Sequence, residues 1–188
     1  MYSKGLALVA LLFATPVLAE SDGPGPNLVI EVSGAATGQI VIDMASDVAP
    51  LHVAQIVALA KAGAYDNVVF HRVIDGFMAQ TGDVQYGKAG GDTAMAGMGG
   101  SDMADLPAEF SDVPFARGIV GMARSQDPDS ANSQFFIMFA PGDFLNGQYT
   151  VVGKVISGMD VVDLIKRGEG QNGEVSAPDV MAKVTVQE

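Results

Sequence analysis

Cysteine is absent from this 188-residue chain. That excludes disulfides, a thiolate nucleophile, Cys-ligated metal and a lipid-modified N-terminal cysteine. It is compatible with an oxidising compartment without requiring one. Positive charge is scarce: 10 Lys+Arg against 22 Asp+Glu leave a formal net charge of −12. Such a surface repels nucleic acid and anionic membrane and offers no basic stripe. No Asp/Glu run forms an acidic interaction tail. A membrane-spanning run is missing too, because the apolar residues 6–14 are followed by Thr15 and Pro16, short of the roughly 20 a bilayer needs. There is no Gly-x-Ser-x-Gly elbow, which sets aside a Ser-His-Asp hydrolase. Internal repeats and interdomain linkers are likewise lacking.

What is present suits one domain. With 48% hydrophobic and 17% charged residues the chain can bury a sizeable core. Its 23 Gly and 9 Pro favour a turn-rich β protein over a bundle. Lys4, the apolar run and the small residues around Ala19 read as a cleavable secretory signal over residues 1–19, cut near Ala19. The expected location is periplasmic or secreted. Cleavage removes Lys4 and takes the net charge from −12 to −13. A flexible lead follows at 20–26, then a single domain at 27–188, expected to be a monomer that no longer engages membrane.

Strand patterns fall at 28–32, 39–44, 68–73, 77–80, 119–123, 134–139, 149–155 and 180–186. A helix opens at 47–50 and stops at Gly63, and a second is expected at 159–166. Residues 84–103, rich in Gly, Ala and Met, read as a long surface loop. About eight strands and two helices fit a closed antiparallel barrel, although the pattern alone leaves a sandwich open.

Two segments carry the chemistry. Residues 70–83 read FHRVIDGFMAQTGD, a single cation among large apolar side chains with an amide two places past Met78. Residues 130–137 read SANSQFFI, a polar entry into an aromatic run. Together they closely resemble the two signature segments of the cyclophilins, the peptidyl-prolyl cis/trans isomerases, over about residues 27–186. The resemblance implies a closed eight-stranded antiparallel barrel capped by two helices, and no cofactor or metal. Proline-containing, unfolded or exported polypeptides are the implied partners. It also implies that Arg72 donates to the prolyl nitrogen, that Phe77, Met78, Phe136 and Leu145 hold the proline ring, and that Gln80 bonds substrate backbone. Ala123 is implied to line the channel beside that slot. Arg124 stands where many relatives have an Asn whose backbone holds substrate. Phe144 replaces the Trp of the best-known eukaryotic members, so weak cyclosporin binding is expected, and Tyr149 replaces their His. Both replacements resemble the exported bacterial branch. Ile74-Asp75-Gly76 replaces the commoner Ile-Pro-Gly.

Other chemistry-bearing residues read more plainly. His71 should point away from Arg72 along its strand and serve as a buried, hydrogen-bonded scaffold residue. His52, in the first turn of helix one, reads as surface. Asp83, Glu109 and Asp112 sit in turn-like contexts, and Glu109 is expected to tie a loop by bonding backbone N–H groups. Met95, Met98 and Met103 read as part of a flexible loop rather than as soft Cu(I) ligands. The rival to an isomerase is a binding module, the same barrel serving as a holdase or proline-peptide adaptor.

Overall fold

The computed structural model describes residues 22–188. The signal expected over residues 1–19 and the start of the lead lie outside the described residues. The chain opens with a hairpin of β1 (Asn27–Ser33) and β2 (Gly38–Met44), Ile30 opposite Ile40. There follow α1 (Pro50–Lys61), β3 (Val68–Val69), β4 (Arg72–Ile74), β5 (Met78–Thr81), β6 (Ile119–Met122) and β7 (Phe135–Met138). A 3-10 turn (Asp143–Leu145), β8 (Val151–Ser157), α2 (Met159–Leu164) and β9 (Val180–Gln187) complete it.

All nine strands form one antiparallel sheet in the order β3-β9-β1-β2-β8-β6-β7-β5-β4. The two ends of that order are consecutive in sequence, separated only by Phe70 and His71. One extended run therefore closes the sheet on itself, pairing with β9 at Val68↔Met181 and with β5 at Arg72↔Gln80. Among the described residues the curled sheet thus ends on two very short strands rather than on long open edges that another chain could join. The strand expected at 68–73 is thus two short strands, because the run changes partner midway. Its Phe70 N–H goes to the Asp179 carbonyl and its Val73 N–H to that of Gly173.

Alternation along the strands sorts the side chains into two clusters. Leu28, Ile30 and Val32 of β1, Ile40, Ile42 and Met44 of β2, and Val73, Ala79, Phe135 and Ile137 form the interior with the apolar face of α1. Each large side chain so buried stabilises the fold by roughly 1.5–3 kcal/mol. The intervening residues Met78, Phe136 and Met138 face the other way and gather with Phe115, Ile119, Leu145 and Val151. Helix α1 packs against β9 and α2 against β2. Gly158 turns the chain into α2 at φ 86°, and a Cβ there would sit 2.1 Å from the Gln39 carbonyl oxygen.

The start of α1 corrects one expectation. His52 is fully buried rather than on the surface. Ala49, at the N-cap, has no side-chain oxygen to offer, and Glu109 supplies the missing acceptor from the loop before β6. Its carboxylate accepts the N–H groups of Leu51 and His52 and lies 2.6 Å from His52 Nδ1. A first-turn residue looks solvent-facing in an isolated helix, and only the distant loop covers it. Burial raises the Glu109 carboxyl, but its bonds to the His52 side chain and to two backbone N–H groups outweigh that and hold it below the ordinary value of 4.5. Glu109→Gln is expected to cost about 2 kcal/mol in urea unfolding at neutral pH. With a depressed folded pKa, the wild-type advantage is complete above 4.5 and fades as pH falls below it.

Candidate active site

Sheet register sets out the site as a row. Arg72 of β4 lies opposite Gln80 of β5, Gln80 opposite Phe136 of β7, and Phe136 opposite Gly121 of β6. A cation, an amide and an aromatic ring thus stand side by side on one face of the sheet. Gly121 is what lets the ring lie there. A Cβ at that position would come within 2.6 Å of both Phe136 and Phe115, closer than carbon atoms approach.

The polar members are fixed by a relay of hydrogen bonds. Arg72 donates from Nε to the Asn172 carbonyl at 2.9 Å and from Nη1 to Gln80 Oε1 at 3.1 Å. Gln80 Nε2 donates to Gln134 Oε1 at 2.9 Å, and Gln134 Nε2 donates to the carbonyls of Gly97 and Gly99. Because a guanidinium can only donate, the orientation of each amide follows in turn. Two of the five arginine N–H groups are used, and three remain for a ligand. Partial burial lowers the Arg72 pKa, with Tyr149 acting the other way. Arginine starts so high that it stays cationic.

Gly97 and Gly99 are themselves held from below. Asp83 is fully buried. One of its carboxylate oxygens accepts the N–H groups of Gln85 and Tyr86, the other those of Gly97 at 2.7 Å and Gly99 at 2.9 Å. The Gly- and Met-rich loop is therefore pinned at two points about a dozen residues apart, while Met95, Met98 and Met103 stay exposed. His71 lies beneath Gly97, whose Cβ would fall 3.1 Å from its ring. It is buried, as expected, and the Val69 backbone and the Gln134 side chain meet its ring. Burial accordingly lowers its pKa, against an upward pull from Asp83.

Around the row opens a pocket of about 400 Å³. Phe136 forms its floor, stacked at 5.8 Å on Phe115 and met edge-on by Tyr149 at 6.0 Å. Met78 and Leu145 are buried against it. Phe77 forms a wall, its ring 5.4 Å from that of Phe144, which is 65% exposed. Ala123 and Arg124 complete the rim and open onto a second pocket of about 560 Å³ reaching to Gly97, Ser101 and Asn132. All ten residues singled out in the sequence border the smaller pocket. Sequence reasoning left three more out of the site. Gln148 also borders it, Gln134 relays to the loop, and Asp83 anchors that loop. Gln134 sits inside the SANSQFFI segment, where its neighbours gave the only available signal. Among the described residues, no hydroxyl or thiol nucleophile of the serine or cysteine kind and no carboxylate lines the smaller pocket. An apolar slot with a fixed donor at its edge suits a reaction that rotates a bond without breaking it.

Fold and site together place the chain in a class: it belongs to the cyclophilin-type peptidyl-prolyl cis-trans isomerases, enzymes that interconvert the two forms of an Xaa-Pro peptide bond. The model of that family, cyclophilin type peptidyl-prolyl cis-trans isomerase/CLD, matches residues 28–186. Among relatives, the Brucella suis protein named probable peptidyl-prolyl cis-trans isomerase is 55% identical over 184 residues, covering 96% of this chain and 92% of its own. The crystal structure of the cyclophilin AquaCyp293 from Hirschia baltica aligns with TM-score 0.72 at 26% identity, over 88% of this chain and 75% of that one. A Cryptosporidium parvum cyclophilin-type isomerase, crystallised in the presence of the dipeptide Ala-Pro, shares the fold with TM-score 0.73 at 24% identity, covering 86% and 99%.

Proposed function

We propose that the row Arg72–Gln80–Phe136 is the catalytic centre and that its clients are exported polypeptides whose folding waits on proline isomerisation. The observation that carries the reading is a cation with three unused N–H groups at the edge of an apolar slot. Amide resonance sets a barrier of roughly 18–20 kcal/mol. As the bond twists, the prolyl nitrogen loses conjugation, becomes pyramidal and gains a lone pair. Arg72 donates to that lone pair, an interaction the planar ground state does not offer, so it lowers the barrier rather than merely tightening binding. Phe77, Met78, Phe136 and Leu145 hold the ring still, and Gln80 anchors the flanking backbone while the other side swings.

The test is cis/trans exchange of an Ala-Ala-Pro-Phe-type peptide followed by NMR with catalytic amounts of the protein. Accelerated exchange is the expected result. Chemical-shift changes on binding without acceleration would overturn the reading and favour a proline-peptide adaptor.

Export is supported by the charge, apolar run and small residues of the first 19 positions. Uncatalysed isomerisation takes tens to hundreds of seconds, slow enough to delay folding outside the cytoplasm. Expressed in a Gram-negative host, the protein should be found in the periplasm beginning near Glu20. Retention of Met1 in the cytosolic fraction counts against export. Cyclosporin binding should be weak, because the exposed Phe144 ring has no N–H to donate. Phe144→Trp is expected to tighten it about tenfold, the scale of one added hydrogen bond, as read by calorimetry. Unchanged affinity removes the donor explanation.

A further inference from the structure

The chain contains four arginines, and they divide by location. Arg117 and Arg167 are paired with Asp163 and Asp75. Arg72 and Arg124 have no carboxylate partner among the described residues, and both border the 400 Å³ pocket. Arg72 is accounted for by the twisted amide. Arg124 is not.

Arg124 follows Ala123 as the chain leaves β6 and borders both pockets, so it stands on the ridge between them. Its guanidinium lies 4.4 Å over the Tyr149 ring. Nη1 donates to the carbonyls of Ser125 and Gln126, and Nη2 to that of Gln148 at 2.8 Å. Every partner is neutral, so the side chain is held in place while its charge stays uncompensated. Nε is buried and without a partner, and one N–H of Nη2 is left over. A stiffly mounted cation with a spare donor beside the proline slot is a receptor for an anion. Nearby carboxylates are otherwise engaged. Asp105, which borders the larger pocket, accepts from Asn132 Nδ2, while Asp127 and Asp129 accept backbone N–H groups of Asp129 and Ala108. They set a negative background that limits the gain without neutralising the guanidinium.

We propose that Arg124 is a specificity-determining residue that selects client segments bearing a carboxylate side chain next to the isomerising proline, on the side of the larger pocket. The inference rests on the smaller pocket being the proline site. It makes this acidic enzyme a reader of acidic stretches, with the flanking Asp or Glu taken by the spare Nη2 donor.

The test is a peptide set carrying Glu, Gln or Lys in turn at each of the two positions on either side of a single proline. Wild type should show, at one position, a kcat/KM for Glu about five- to tenfold above Gln, the scale of one partly exposed charge-assisted contact, with Lys lowest. The Glu/Gln ratio should fall to near one in about 0.5 M salt, where exposed charges are screened, and in Arg124→Gln. Arg124→Lys should keep part of it. If Arg124 merely braced Tyr149 and Gln148, Arg124→Gln would slow all peptides alike and leave the ratio unchanged, which overturns the proposal. Charge-blind acceleration by wild type overturns it as well, with no variant needed, while leaving the isomerase reading intact. Acceleration of no peptide at all defeats the isomerase reading itself.

Discussion

Arg72→Ala is expected to lower kcat/KM for prolyl exchange by about 10²–10³-fold, the usual cost of removing one donor aimed at transition-state charge. Peptide affinity should change far less, because the apolar slot of Met78, Phe136 and Leu145 is untouched. The split between rate and binding is the informative part. A donor used equally by planar and twisted amides would lower affinity and rate together. Arg72→Lys should fall between, since it retains charge but loses the fork that reaches Gln80, Asn172 and substrate at once. NMR line-shape fits yield both quantities from one titration. A rate within threefold of wild type in Arg72→Ala would remove the arginine from the mechanism.

The second large effect is predicted far from any substrate atom. Asp83→Asn replaces a buried acceptor of four backbone N–H groups with an amide that can accept at only one end. Its NH2 must then face two N–H donors. The expected loss is on the order of 3 kcal/mol, a fall in Tm of about 6–12 °C for a domain of this size. Activity should also drop, by about tenfold, at temperatures where the variant is fully folded. Gly97 and Gly99 orient Gln134, which orients Gln80, which braces Arg72. A Tm within 2 °C of wild type would show the loop to be held by something other than this carboxylate.

Much of this was legible in sequence, and the exceptions share a cause. Strand and helix positions followed from local alternation and turn residues, and the pocket side chains from the resemblance of their segments to those of the cyclophilins. Where reasoning failed, the deciding contact came from far along the chain. His52 looked exposed because Glu109, which covers it, lies 57 residues away. Asp83 read as a turn carboxylate and Gln134 only as the start of a strand, since neither sequence neighbourhood reveals that Gly97 and Gly99 will return to both. The run at 68–73 read as one strand because its change of partner depends on β9, more than a hundred residues on. The charge pattern of the arginines was equally invisible, as it needs the positions of Asp75 and Asp163.

The seam of the barrel has a kinetic consequence. Val68 and Val69 must find β9 across most of the chain's length, and pairings of such sequence separation carry a heavy loop-closure entropy and slow folding. Arg72 comes only three residues after Val69, and its Nε partner, Asn172, lies 100 residues away. Its guanidinium is therefore aimed only once that long-range pairing has formed. On the catalytic role proposed for Arg72, a nascent or half-formed copy presents its aromatic slot to other chains without being able to turn their prolines, and the enzyme gains its activity in the same late step that completes its own fold.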